Sequence, residues 1–303
     1  MFKASIDIGS NSILLLITNV TKTGFEDIVS MSEIAGLGKN VDKEGKLSMD
    51  AQKTAFKILK KYKKELKKYD FKPKDVIVTA TEAMRATSNS QSFIKEIEKD
   101  LGFKIQIVTA ETEATLTAQG ISYGSSEEEE LVILDIGGAS TELIKAQTYP
   151  FKVDETISLP IGSVRAKDYI DDGVFQENLD KIFKDFDLSP YKTAKIVGVA
   201  GTITALAAMT LGTSNFDEKK VNEVVIDFNK LTKFIQCLQD LDDDDFKTQY
   251  PFLGKRQETI VAGARVLRAI CLQLEIEKMS VSTRGLRYGS VLYDELPLEY
   301  LVQ

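Results

Sequence analysis

An α/β fold made of two related domains is what this 303-residue chain predicts, and three observations predict it. A strand–turn–strand segment is written twice, strand and helix signals alternate along each half, and the pattern restarts after an acidic run. The first copy is ASIDIGSNSILLLI at 4–17 and the second is VILDIGGASTELI at 132–144. Asp7 and Asp135 hold the same place, each followed by Ile-Gly and a small or polar tripeptide. Two copies are too few for a solenoid. They point to two half-molecules facing each other across a cleft.

The elements follow in order. Residues 3–9, 12–20 and 25–34 read as strands, joined by the turn at 9–11 and by Thr-Lys-Thr-Gly at 21–24. A long amphipathic helix is expected over 48–69, with Ser48 or Asp50 as its cap. A buried strand at 75–81, a helix at 90–100, a strand at 103–109 and a helix at 111–122 complete the first half. The acidic run at 125–130 is the expected boundary, giving domains 1–124 and 125–303, with the segment after about 290 able to pack back on the first. Strands are then expected at 131–136, 141–147, 152–159 and 194–200. Helices are expected at 163–170, 175–184, 202–210, 229–240 and 256–275, and a short strand and helix close the chain.

Two charge runs stand out. The helix over 48–69 carries eight lysines, while Ala55, Ile58, Leu59, Tyr62, Leu66 and Tyr69 form its apolar stripe. A solvated face with core behind it is the expectation, with a track for a long polyanion as the alternative. The acidic run at 240–246 is expected to be a solvated loop.

Composition narrows the chemistry. A hydrophobic fraction of 43% and a charged fraction of 28% are those of an ordinary globular protein. No apolar run approaches the roughly 18 residues a spanning helix needs, and no leader is evident, so no membrane partner and a cytoplasmic location are expected. Cys237 and Cys271 lack metal-ligand spacing and are expected to be buried, reduced and unrelated. The net charge of −7 argues against a nucleic-acid partner but allows an anionic substrate in a locally positive cleft. Histidine is absent. Proton transfer near neutral pH must therefore fall to a carboxylate, Lys, Tyr or Cys.

The repeated turn supplies the chemistry. A strand that ends in Asp and runs into Gly-Ser-Asn-Ser aims successive backbone N–H groups into one concavity, a nest for phosphate oxygens. An Asp at the strand end can hold Mg²⁺ directly or through water. Gly201 and Thr202 lie between an apolar strand and an apolar helix, the usual place for a phosphate or nucleotide edge. Gly162, Ser163 and Arg165 occupy a similar turn. Arginine is scarce, and Arg85 follows a buried strand whose C-terminal end is where α/β sites form. An ion pair closing a helix is the alternative role for Arg85.

Seven segments in order, SIDIGSNSILLLI, VTATEAMRATSN, AETEATLTAQGI, LDIGGASTELI, SLPIGSVR, GVAGTITALAA and VSTRGLRYG, resemble the exopolyphosphatase/guanosine pentaphosphate phosphohydrolase family. The likeness covers essentially the whole chain, and so many ordered motifs make it specific. It implies two actin-like (ribonuclease H-like) domains with mixed sheets, and a bacterial Mg²⁺- or Mn²⁺-dependent hydrolase acting on phosphoanhydride bonds. Glu113 matches the glutamate that activates the attacking water, with Glu111 as a second candidate. Asp135 and Glu142 match carboxylates around the metal, with Asp7 opposite. Gly9, Ser10, Asn11, Ser12 and Arg85 match phosphate contacts of the first domain, and Gly137, Gly138, Ala139, Ser140, Gly201 and Thr202 those of the second. Arg165, Arg265 and Arg284 are further candidates for substrate contact. The implied partners are inorganic polyphosphate, or pppGpp and ppGpp of the stringent response, and a second copy of the chain in a homodimer.

Three departures accompany the resemblance. The second loop reads Gly-Gly-Ala-Ser where the family has Gly-Gly-Gly-Ser, the stretch at 110–114 is Ala-Glu-Thr-Glu-Ala, and the late Arg-Glu-Gly is Arg-Tyr-Gly at 287–289. Removal of the terminal phosphate from linear polyphosphate is the leading expectation. Hydrolysis of pppGpp, an ATP-dependent kinase of the same superfamily, and a sensor that binds without turnover stand as alternatives.

Overall fold

The computed structural model describes residues 1–193 and 195–302. Ala194, where the strand at 194–200 is expected to begin, lies outside the described residues. The chain divides into two compact units, 1–128 with 284–303, and 129–283. The crossing thus falls inside the acidic run rather than at its start, and the return begins at Arg284, ahead of the expected position near 290.

Unit 1 opens with an antiparallel meander of β1 (Phe2–Ile8), β2 (Ser12–Thr21) and β3 (Gly24–Ile34). Helices α1 (Val41–Glu44) and α2 (Met49–Lys67) follow. Then come β4 (Ile77–Ala80), α3 (Glu82–Arg85), α4 (Ser90–Leu101), β5 (Ile105–Ile107) and α5 (Ala110–Ser122). β4 runs parallel to β1, and β5 runs parallel to β4. The sheet order is β3-β2-β1-β4-β5. Ser48 caps α2 by accepting from the Ala51 N–H, as its sequence suggests. Tyr69 departs from the expected apolar stripe: the helix ends at Lys67 and Tyr69 is 39% exposed.

Unit 2 repeats the plan. Its strands are β6 (Glu130–Ile136), β7 (Thr141–Gln147), β8 (Lys152–Leu159) and β9 (Ile196–Val199). Two more, β10 (Val225–Asp227) and β11 (Lys278–Val281), complete the sheet. The sheet order β10-β11-β9-β6-β7-β8, taken from β8 inward, reproduces the unit 1 order and adds antiparallel β10 beyond β11. The helices are α6 (Ser163–Asp171), α7 (Phe175–Asp185), α8 (Ala200–Thr210) and α9 (Glu218–Asn222). They continue with α10 (Phe228–Leu238), α11 (Asp243–Gln249) and α12 (Gln257–Gln273).

The acidic run expected as a loop begins α11. Asp242 accepts from the N–H groups of Asp244 and Asp245, and Asp245 accepts from the Asp242 N–H. Carboxylates belong at a helix N-terminus because unsatisfied N–H groups and the positive dipole end gather there.

The return contributes α13 (Leu286–Ser290) to unit 1. Both faces of β1 are covered. Ile6 and Ile8 join the core under α2 and α4, while the Ser5 hydroxyl donates to the Arg287 carbonyl at 2.8 Å. α13 meets α5 backbone to backbone, since a Cβ on Gly289 would lie 1.9 Å from the Leu116 carbonyl oxygen. Cys271 is buried, which pushes its thiol up to about 12, but Cys237 is exposed, contrary to expectation. Among the described residues no helix is long and apolar enough to cross a membrane.

Candidate phosphate-binding turns and a buried carboxylate

The repeated segment folds into the same turn twice. After β1, the Gly9 N–H donates to the Ser12 carbonyl at 3.0 Å. After β6, the Gly137 N–H donates to the Ser140 carbonyl, also at 3.0 Å. Among the described residues the N–H groups of Ser10, Asn11, Gly138 and Ala139 donate to no protein acceptor. Each turn thus carries two adjacent free donors in a concavity, the nest geometry that suits an anion.

The carbonyls of these turns are committed elsewhere, which keeps the donors facing outward. In unit 1 the Asn11 carbonyl accepts from Ala35 and Gly36, and the Ser10 carbonyl from Gly38 at 2.7 Å. In unit 2 the first turn of α6 performs this task. Ser163 donates to the Gly137 carbonyl and Val164 to the Gly138 carbonyl, and Arg165 Nη1 reaches the Ala139 carbonyl at 2.5 Å. Arg165 therefore braces the loop. Ala139 does not have the positive φ that would demand glycine, so the departure from a triple glycine fits the backbone.

Asp7 and Asp135 each sit one residue before the end of their strand, and their cross-strand neighbours differ. Asp7 faces Leu14, whereas Asp135 faces Glu142. Glu142 is only 3% exposed and accepts from Ser158 Oγ at 2.8 Å. Among the described residues no group of three or more metal-ligating side chains is gathered. Unit 2 supplies the pair Asp135 and Glu142 rather than a three-carboxylate cage. That donor set fits Mg²⁺, which keeps several waters and takes one or two carboxylates together with substrate phosphates.

Glu113 is separated from Glu111 by its surroundings. α5 starts at the Thr109 cap, where Thr109 Oγ1 accepts from the Thr112 N–H. Glu111 points to solvent, while Glu113 lies 2.9 Å from Arg85 Nη1, with side-chain exposures of 16% and 13% for the pair. Arg85 also contacts Glu82 Oε2 through Nη2 at 3.1 Å and donates to the Val108 carbonyl at 2.8 Å. Its fork is thus largely taken by carboxylates and backbone, the alternative its sequence position allowed. Glu113 Oε2 is itself buried and, the Arg85 ion pair apart, meets no hydrogen-bond donor among the described residues. Burial pushes the Glu113 carboxyl above its usual range; Arg85 pulls it down without offsetting burial, and Glu82 adds to the rise. Burial weighs against the Arg85 charge, but Glu113 and Glu82 outweigh it and hold the guanidinium above its ordinary value. The C-terminal return steadies this junction. Thr109 donates to the Tyr300 carbonyl, and Val302 donates to that of Ile107.

Gly201 and Thr202 open α8, as expected, and Ala200 before them has φ 65°. Arg256 escaped sequence reasoning. Its guanidinium lies so close over Gly201 that a Cβ there would be 2.7 Å from Nη2. Burial lowers it to about 10, and among the described residues no carboxylate pairs with it. A scarce arginine beside a glycine turn was the available signal, but 55 positions separate the two in sequence. Arg265 and Arg284, the further candidates for substrate contact, both lie over aromatic rings, Phe175 and Phe25, with 4.4 and 5.3 Å to the ring centroids. Tyr288 is 1% exposed and donates to Asp27 Oδ2 at 2.5 Å, so the position departing from Arg-Glu-Gly belongs to the unit 1 core.

Two α/β units of one topology, each presenting a turn with the geometry of an anion nest, are the frame of a phosphate-handling class of protein. The chain belongs to the Ppx/GppA phosphatase family, whose model matches residues 16–299. It is 29% identical to a bifunctional 3-dehydroquinate synthase/phosphatase of Fusobacterium nucleatum, over 96% of this chain and 46% of the relative. A guanosine-5'-triphosphate,3'-diphosphate pyrophosphatase of Pseudoalteromonas translucida is 27% identical over 97% of this chain and 59% of its own. The chain thus spans about half the length of these curated relatives. The crystal structure of the Aquifex aeolicus Ppx/GppA family member superposes with a TM-score of 0.74 at 29% identity, covering 95% of both chains.

Proposed function

We propose that this protein removes the terminal phosphate of a linear inorganic polyphosphate, releasing orthophosphate, with Mg²⁺ or Mn²⁺ as cofactor. The observation that carries the reading is the pair of matched turns with free N–H donors, one in each unit. Glu113 takes a proton from the attacking water as the new P–O bond forms and the bridging P–O bond breaks. The proton stays on Glu113 until solvent removes it, and the shortened chain leaves as the anion. Within unit 1 the Ser10 and Asn11 N–H groups are donors for phosphate oxygens; within unit 2 those of Gly138 and Ala139 are, and Arg256 adds positive charge at the start of α8. Asp135 and Glu142 would hold the metal, which offsets charge on the phosphoryl oxygens when bound. Catalysis of this kind is mostly positioning and electrostatics, with a carboxylate orienting the water. Arg85 acts on the base rather than on phosphate.

The name of the Pseudoalteromonas relative favours a second reading, hydrolysis of pppGpp. Orthophosphate release from long-chain polyphosphate and from pppGpp, measured side by side with Mg²⁺ and with EDTA, tests both. Metal-dependent release is expected, faster from polyphosphate. A higher rate on pppGpp selects the second reading. Binding of both without release overturns hydrolysis in favour of a sensor.

A further inference from the structure

The lysines of α2 are not used by the site described above. Ala55, Ile58, Leu59, Tyr62 and Leu66 bury one side of the helix. At 100° per residue, Lys53, Lys57, Lys60, Lys61, Lys64, Lys67 and Lys68 fall within an arc of about 120° on the opposite side. All seven are exposed. Between 49 and 68 eight lysines face two carboxylates, in a chain whose net charge is −7. Lys61 pairs with Glu33 at 2.6 Å, Lys68 with Glu65 at 2.6 Å, and Lys53 reaches Asp50 at 4.0 Å. Among the described residues Lys57, Lys60 and Lys64 pair with no carboxylate. Like charges three and four residues apart weaken a helix, so the row carries repulsion that its three carboxylate partners relieve only in part.

The buried side of α2 passes the end of the unit 1 sheet that bears the phosphate-binding turn, and Lys61 at the edge of the row reaches Glu33 on β3. Tyr62 Oη donates to the Ile13 carbonyl at 2.7 Å, and Ile13 pairs with Glu33, the partner of Lys61. Ile13 follows Ser12, the last residue of the turn. The middle of α2 is therefore held beside that turn, and Lys53 to Lys68 spans about 22 Å at 1.5 Å per residue.

We propose that this lysine row is a docking track for the distal phosphates of a polyphosphate chain whose end is held at the Gly9–Ser12 turn. It rests on the polyphosphate reading given above. A thin, flexible polyanion meets the row alone, whereas a duplex nucleic acid or an anionic bilayer also meets the surrounding negative charge of the chain. The track gives long substrates a grip that short ones lack and retains the shortened chain between turnovers.

The test replaces Lys57, Lys60 and Lys64 together with Gln, positions without carboxylate partners, with helix content checked by circular dichroism. Binding of long-chain polyphosphate and of tripolyphosphate is measured at equilibrium in a Glu113→Gln background, which slows turnover. Three neutralised charges, each contributing about 0.7 to the salt slope as on single strands, lower that slope by roughly 2. Between about 50 and 200 mM salt the triple variant then loses roughly 20-fold less of its long-chain affinity than the parent. Tripolyphosphate affinity stays unchanged. Unchanged long-chain affinity and slope, or equal losses for both ligands, overturn the track. Single-stranded DNA binding as tightly as polyphosphate, with the same lysine dependence, overturns the assigned occupant. Release of phosphate by the unsubstituted protein is scored separately: its absence with lysine-dependent long-chain binding removes the hydrolytic reading and leaves the track.

Discussion

Arg85→Gln should move the acid limb of the pH–rate profile to higher pH. Arg85 Nη1 stands 2.9 Å from Glu113 Oε2. Two opposite charges at that distance attract by roughly 6 kcal/mol at an effective dielectric of about 20. Both side chains keep some exposure, and Arg85 is shared with Glu82. The net contribution is therefore smaller, about 3 kcal/mol, in the range found on breaking a buried pair. An opposite charge this close typically displaces a carboxyl by one to three pH units, so the limb should rise by roughly that amount. The readout is kcat/KM for phosphate release between about pH 4 and 9 for both proteins. Stability follows the same sign. Glu113 already titrates above its unfolded value, so the stability it contributes is present below the ordinary carboxylate range and is lost as pH rises through the folded value. Without Arg85 that loss extends to higher pH and deepens. An acid limb that stays put, or moves to lower pH, refutes the assignment of Arg85 as the partner that keeps Glu113 ionised.

Glu113→Gln should lower kcat for phosphate release by roughly 10²–10⁴ with substrate binding retained, while Glu111→Gln, altering an exposed side chain, stays near the parent rate; equal effects of the two reject the choice of base. Ala200→Gly should stabilise unit 2 by about 0.5–1 kcal/mol, since removing a left-handed alanine relieves more than the added glycine entropy costs. Thermal unfolding reads this as a rise of a few degrees, and a fall contradicts the strain at φ 65°. Tyr288→Glu, which restores the family's carboxylate, should destabilise unit 1 by about 3–5 kcal/mol by burying a charge beside Asp27; denaturant titration with no loss contradicts the core placement of Tyr288.

What the sequence determined by itself was local. Strand, turn and helix signals act over a few residues, so the doubled Asp-Ile-Gly turn, the meander order in both halves and the Gly201 turn were legible without coordinates. The absence of histidine was legible too, and it directed attention to a carboxylate base. The acidic run was misread because charge pattern alone does not distinguish a solvated loop from a helix N-terminus, which Asp242 and Asp245 form by exchanging backbone hydrogen bonds.

Tertiary structure decided whatever depended on residues distant in sequence meeting in space. It gave Glu113 and Glu111 different surroundings, because only Glu113 is buried against Arg85 from another helix. It brought Arg256 over Gly201, and it set Arg265 and Arg284 on aromatic rings. It returned the chain to unit 1 at Arg284 and carried Tyr288 into that core, where the exposed polar face of β1 needed a cover. Desolvation and ion pairing depend on surroundings assembled from the whole fold, and these set a side chain's charge and its freedom to act.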